Sequence, residues 1–257
     1  MAQLSEQILE AIQAELQQLS TEHSQLLVKH EQLKHEFTEF TYIISHDLKA
    51  HLRAIMSLSD WLNHDYHDKL DAAAQEMLQL MTQRVQRLNN MLEGVLKFSR
   101  IGRFTETCLP VNINELIDHL LKELAPPPHY QIIIPKPLPT LIGDPLRLEQ
   151  LFAYLLDNAI KYNQHAEAKI QLTAQDLETY WQFQLQDNGP GIPTKEFERV
   201  FQIFQTLQPM EEAGTGMGLT LAKKIVEYHG GHIWLDVTAR SGTTVCFTWP
   251  KTDSHEQ

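Results

Sequence analysis

The chain has 257 residues, 42% hydrophobic and 21% charged, an ordinary globular make-up. Its formal net charge of −12 excludes a general nucleic-acid binder, because a polyanion would be repelled, yet leaves room for a nucleotide at a local positive site. No apolar run of about 18 residues occurs, so no membrane span is expected. The polar, acidic start "MAQLSEQILEAIQAELQQ" is unlike a signal peptide. Cys108 and Cys246 lie far apart, with neither a CxxC nor a zinc spacing, which suits a reducing, cytoplasmic setting.

The first predicted element is a long helix. Ile12, Leu16, Leu19, His23, Leu26, His30, Leu33, Phe37, Phe40 and Ile44 recur at alternating steps of four and three, and neither Pro nor Gly occurs before Leu80. That pattern predicts a coiled-coil seam, with His23 and His30 as polar register positions. The seam continues through Leu48, Leu52, Ile55 and Leu62 to the polar stretch "NHDYHDKLD". A second amphipathic helix is expected from about Asp71 to Ser99, with Ala74, Met77, Met81, Leu88, Leu92 and Val95 on its apolar face. Two such helices joined by a short connection form an antiparallel hairpin. A hairpin apolar on both helices is half of a four-helix bundle, so a second copy of the chain is expected.

Beyond Gly102 the texture changes to mixed helix and strand, with a boundary near residues 100–111. "VNINELIDHLLKEL" reads as a helix broken by "PPPHY", and "QIII" and "PTLIG" read as short strands. Asp144 is a plausible N-cap with Pro145 at the first position of a strong helix. "AKIQLTAQ" and "YWQFQLQDNG" read as paired strands. "GMGLTLAKKIVEYHGG" reads as a helix closed by two glycines, and "HIWLDV" and "TTVCFTWP" as final strands.

Three stretches here carry unusual chemistry. On the helix after Asp144, Leu151, Leu155 and Ile160 share one face, while Asn158, Lys161 and Tyr162 fall elsewhere. An amide carbonyl is a fair magnesium ligand and a lysine pairs with phosphate; a polar helix face would look the same. "QDNGPGIP" follows a strand. Its Gly189 and Gly191 let the backbone turn tightly against a ligand, and Asp187 at the strand end offers a carboxylate to an exocyclic amine. "GTGMGL" places Gly214, Gly216 and Gly218 ahead of a helix N-terminus, a natural phosphate cradle. The acidic loop "QTLQPMEEA" before it suits a mobile cover.

These stretches resemble a known family. "SHDLKAHLRAI" is similar to the H box of sensor histidine kinases, "LLDNAIKYN" to their N box, "DNGPGIP" to G1, "RVFQIF" to F and "GTGMGL" to G2, in the family's order. The resemblance covers about residues 36–250, and its wording is most like the phytochrome-type bacterial kinases. It implies an α+β fold. A coiled-coil signalling helix (1–35) leads into a dimerising hairpin for histidine phosphotransfer (36–103). A gyrase/histidine-kinase-type α/β sandwich that binds ATP (111–250) follows.

By the same resemblance His46 is the phospho-acceptor and Asp47 its acid/base and orienting neighbour. Asn158 binds Mg2+, Lys161 touches the phosphates, and Tyr162 flanks the adenine pocket. Asp187 bonds the adenine amine, Gly189 and Gly191 shape that pocket, and Gly214, Gly216 and Gly218 line the phosphate path. The implied partners are a second copy in a homodimer and a response regulator receiver domain whose aspartate takes the phosphoryl group. Residues 1–40 are too short for a sensory domain, so a separate sensor protein or a longer parent chain is expected. A gyrase- or mismatch-repair-like ATPase and a catalytically inactive kinase scaffold are the alternatives.

Three positions depart from the family pattern. His51 stands where proline usually bends the helix, so a straighter helix is expected. Ala50, four residues after His46, lacks the polar group that positions a water in relatives with phosphatase activity, so weak phosphatase activity is expected. Tyr154 stands four before Asn158, where another Asn is common, and could weaken metal binding.

Overall fold

The computed structural model describes residues 2–102, 107–207, 214–237 and 242–251, with backbone alone for residues 2–11. The chain divides into two compact units, Met1–His51 and Leu52–Gln257.

The first unit is helical throughout. It is part of α1, Ala2–Tyr66, which continues through His51. An uninterrupted helix is what a run without Pro or Gly should give, since each residue keeps its N–H for the i−4 carbonyl. The expected seam residues Ile12, Leu16, Leu19, Leu26, Leu33, Phe37, Phe40 and Ile44 are all exposed in the single chain. Among the described residues no helix is long and apolar enough to cross a membrane.

The second unit opens with the rest of α1, a short 3-10 turn at His67–Lys69, and α2, Ala72–Arg100. Asp71 caps α2: its side chain accepts from the Ala74 N–H at 2.8 Å, satisfying one donor the helix leaves unpaired. Gln75 ties the same corner by donating to the His67 carbonyl at 2.8 Å.

An α/β sandwich follows. β1 (Leu109–Asn112) pairs antiparallel with β3 (Thr140–Gly143) in a two-stranded sheet. β1 is an element the sequence reading folded into the helix after it. Pro110 argues against a central strand, and the strand is found in a sheet of two, where proline is tolerated. Asn112 ends β1 and also caps α3 (Ile113–Leu124), accepting from the Asn114 N–H at 3.1 Å.

The larger sheet runs in the order β2-β4-β5-β7-β6, with strands Gln131–Ile133, Lys169–Asp176, Tyr180–Asp187, Thr244–Pro250 and Ile233–Leu235. β2 lies parallel to β4; the other neighbours are antiparallel. Packed with it into one core are α3, α4 (Pro145–Lys161) and α5 (Gly218–Tyr228). Ile113, Ile117, Leu148, Leu151, Phe152, Leu155, Ile170, Phe183 and Phe247 are all fully buried. Burying each such side chain stabilises the fold by roughly 1.5–3 kcal/mol. Phe152 meets Phe183 and Phe247 edge-on, while Phe183 and Phe247 stack across β5 and β7 with centroids 4.9 Å apart. Trp249 reaches past this cluster to donate from Nε1 to the Ile142 carbonyl at 2.9 Å, fastening β7 to β3.

Candidate nucleotide site and phospho-acceptor

α4 brings the first residues of the site. Its N-terminus is capped as the sequence suggests, with the Asp144 side chain accepting from the Arg147 N–H at 3.0 Å. At the other end the Tyr130 hydroxyl lies 2.8 Å from the Ile160 carbonyl and 2.5 Å from that of Asn163. Asn158 and Lys161 therefore sit in a final turn whose Ile160 carbonyl has a partner from outside the helix. The Lys161 amine also lies 5.3 Å from the centre of the Tyr162 ring.

The glycine-rich turn lies against these side chains. A Cβ on Gly214 would stand 2.6 Å from the Lys161 amine and 3.1 Å from the Tyr162 hydroxyl. One on Gly218 would stand 3.2 and 3.4 Å from the Asn158 amide nitrogen and oxygen. Gly216 adopts φ +68°, and a Cβ there would meet the Gln205 carbonyl oxygen at 2.6 Å. Only glycine fits that combination. Gly218 is the first residue of α5, so its backbone amide and the helix dipole face the same space. The Thr220 hydroxyl anchors the start of α5 by donating to the Gln202 carbonyl at 2.9 Å.

Asp187 is the last residue of β5. Its Oδ1 accepts from the Gly189 N–H at 2.8 Å and the Thr243 N–H at 3.2 Å. Burial raises its pKa above the usual carboxylate value, and these hydrogen bonds pull it back. Gly191 has φ +76°, which suits the tight turn expected of it.

Two residues that the sequence reading passed over link the α4 end to this turn. Asn163, nearly fully buried, donates from Nδ2 to Asn188 Oδ1 at 2.9 Å. Asn188 also accepts from the Lys169 N–H at 2.7 Å and donates to the Glu167 carbonyl at 2.8 Å. Both stand inside quoted motifs, "LLDNAIKYN" and "DNGPGIP", and an asparagine at each motif's edge was the signal available.

Asn158, Lys161 and Tyr162 are thus brought together with Gly214 and Gly218. Asp187 and Gly189 stand beside Asn163, two residues beyond Lys161. Tyr154 packs against the hydrophobic core. Burial raises its phenol pKa, and the Arg147 cation opposes that. Most of the acidic loop expected to cover the site, residues 208–213, lies outside the described residues.

His46 and Asp47 belong to the first unit. His46 Nδ1 lies 3.3 Å from Asp47 Oδ1, with both side chains well exposed at 67% and 71%. Nε2 therefore points away from the carboxylate and is open to a reactant.

Among the described residues, His119, Glu123 and Glu149 bring possible metal-ligand atoms within 4.8 Å of one another. His119 and Glu123 pair across one turn of α3 at 3.6 Å on an exposed face, an ordinary surface arrangement.

Two family models match the chain. The His Kinase A (phospho-acceptor) domain matches residues 38–103, and the histidine kinase-, DNA gyrase B- and HSP90-like ATPase matches residues 143–253. Cyanobacterial phytochrome B of Nostoc sp. is 37% identical over 237 residues, covering 90% of this chain and 32% of the relative. The chain thus spans about a third of that curated relative's length. Full-length ShkA in complex with AMPPNP superposes with a TM-score of 0.62 at 22% identity, covering 84% of this chain and 46% of ShkA. ThkA in complex with the response regulator TrrA superposes at 0.57 and 21% identity, covering 85% and 64%. At these identities the two structures show the shared fold. With a phospho-acceptor hairpin and an ATPase-type domain in one chain, the protein belongs to the sensor histidine kinases.

Proposed function

We propose that the chain is the transmitter part of a two-component kinase, autophosphorylating His46 from ATP and passing the phosphoryl group to an aspartate of a response regulator. The observation that carries this reading is the contact between the α4 residues and the glycine turn: Gly218 on Asn158, and Gly214 on Lys161 and Tyr162. A polar helix face alone would have no reason to meet a run of glycines at a helix N-terminus. The match of a phospho-acceptor domain over His46 favours a kinase over a gyrase-like ATPase, which needs no such residue. The intact Asn158, Asp187 and glycine turns favour it over an inactive scaffold.

In this reading Asp187 accepts from the adenine amino group, Tyr162 flanks the base, and Gly189 and Gly191 let the backbone close on it. Gly214, Gly216 and Gly218 present amides to the phosphates, and Lys161 pairs with them. The Asn158 carbonyl has the right chemistry for Mg2+, which neutralises phosphate charge when bound. Asp47 holds the proton on Nδ1 of His46, leaving the Nε2 lone pair free to attack the γ-phosphorus. A new N–P bond forms as the bond from phosphorus to the bridging oxygen breaks. ADP departs with that electron pair, and the Nδ1 proton passes to Asp47 or to water.

Residues 1–35 are read as a signalling coiled coil, 36–103 as the phosphotransfer hairpin and 111–250 as the catalytic domain. The exposed apolar residues Ile55, Leu58, Trp61, Leu62, Met77, Met81 and Leu88 are read as the homodimer face. ThkA was solved with a response regulator, and the shared fold supports a partner of that kind here. A cytoplasmic location follows from that partner. The test is incubation with γ-labelled ATP and magnesium, comparing wild type with His46→Gln. An acid-labile label absent from the variant supports the reading, and a label that survives the substitution overturns it.

A further inference from the structure

The end of α2 is packed against the ATP-binding domain through contacts that converge on the glycine turn. Gly94, buried on α2, faces Met217: a Cβ there would stand 2.6 Å from Met217 Cγ and 3.1 Å from its Cβ. Met217 is 2% exposed and immediately precedes Gly218, the glycine lying on Asn158. One turn further along α2, Lys224 of α5 donates to the Phe98 carbonyl at 2.7 Å, with its amine 3.7 Å from the centre of the Phe98 ring. Arg147 of α4 donates to the Arg100 carbonyl at 3.1 Å. Two cations from the ATP-binding domain thus meet carbonyls in the last turn of α2, where the helix leaves acceptors open and its dipole is negative. A Cβ on Gly102, which has φ +77°, would run into the Tyr228 ring.

We propose that Gly94, Phe98, Met217 and Lys224 are positioning residues for nucleotide binding: the end of α2 is a seat that holds Met217, and with it the turn Gly214–Gly218, in the conformation that receives a triphosphate. A glycine-rich turn loses more backbone freedom on ordering than any other, so a turn ordered beforehand binds its ligand more tightly. Linkage makes the effect reciprocal: nucleotide must stabilise the α2 contact by the same factor. The inference rests on the reading of the turn as a phosphate cradle.

The test uses the full chain with Gly94→Leu, which fills the notch yet is a better helix former than glycine. Lys224→Met serves as a second variant, removing the cation outside the glycine turn. Folding is checked by circular dichroism. Titration with AMPPNP and magnesium should show binding weakened about fivefold or more in Gly94→Leu, and in the same direction in Lys224→Met. Amide hydrogen exchange at residues 94–100 should slow on AMPPNP addition in wild type and respond little in either variant. If wild type does not bind AMPPNP, the cradle reading itself fails. If wild type binds and the folded variants bind equally or more tightly, the seat is wrong. The seat is also wrong if their binding weakens while α2 keeps its nucleotide response. Should Gly94→Leu not fold, Lys224→Met decides by the same criteria.

Discussion

Gly191 and Gly242 face each other so closely that a Cβ on Gly191 would stand 2.9 Å from the Gly242 carbonyl oxygen. Both have positive φ, 76° and 74°. Two turns of the chain, one leaving β5 and one entering β7, are therefore fitted backbone to backbone beside Asp187. Gly191→Ala should cost about 1–2 kcal/mol from the left-handed backbone alone, and more from the clash, because a peptide group cannot swing aside as a side-chain tip can. Chemical denaturation should show the loss, and titration with ATP should show weakened binding. A variant as stable as wild type with intact affinity would contradict the geometry.

The buried carboxylate of Asp187 gives a pH signature. Its folded pKa lies above the unfolded value, chiefly through burial. Between the two values the folded state holds more protons, so this group's contribution falls as pH rises through that window and is unfavourable above it. Asp187→Asn keeps an oxygen to accept from Gly189 and Thr243 but carries no charge. Its melting temperature at neutral pH should match or exceed that of wild type, and the difference should shrink at acidic pH. Adenine nucleotide binding should weaken by roughly ten- to a hundredfold, the usual loss for a hydrogen bond to a charged group. Thermal melts across pH, paired with calorimetric titration, check both halves.

Asp47 sits 3.3 Å from His46 Nδ1 on an exposed face, so its removal should not disturb the fold. Asp47→Asn should slow autophosphorylation by roughly 10²–10⁴, the range for losing a positioned acid/base partner. ATP affinity should stay unchanged. Initial rates of acid-labile label formation at saturating ATP give the first number and direct binding the second; a rate within twofold of wild type would remove Asp47 from the mechanism.

Trp249→Phe keeps most of the ring but deprives the Ile142 carbonyl of its donor. The cost should be about 1 kcal/mol, that of losing one part-buried hydrogen bond. Urea denaturation measures it, and Trp249→Phe should be milder than Trp249→Ala, which also empties the space between β7 and β3.

Local rules made much of this legible from the sequence. The Asp144 cap, the unbroken α1 and the positions of Asp187 and Gly216 all follow from spacing, caps and glycine chemistry within a few residues. The five motifs supplied the candidate site residues. What stayed hidden depends on distant partners. β1 takes its strand form from β3, about thirty residues on. The Asn163–Asn188 bond joins turns from opposite sides of β4 and β5, and no single window of sequence contains both. Phe204, at φ +64°, shows no local reason for its conformation; it lies beside Gly216, whose own positive φ brings the turn against it.

Helices usually fray at their last turn, and α4 carries Asn158 and Lys161 there. The phenol of Tyr130, two strands upstream in the chain, closes that turn from outside. In the proposed reading, grip on a triphosphate is set partly by a side chain that would never touch it. Loosening that tether should show as slack in the helix end before any change in the pocket's composition.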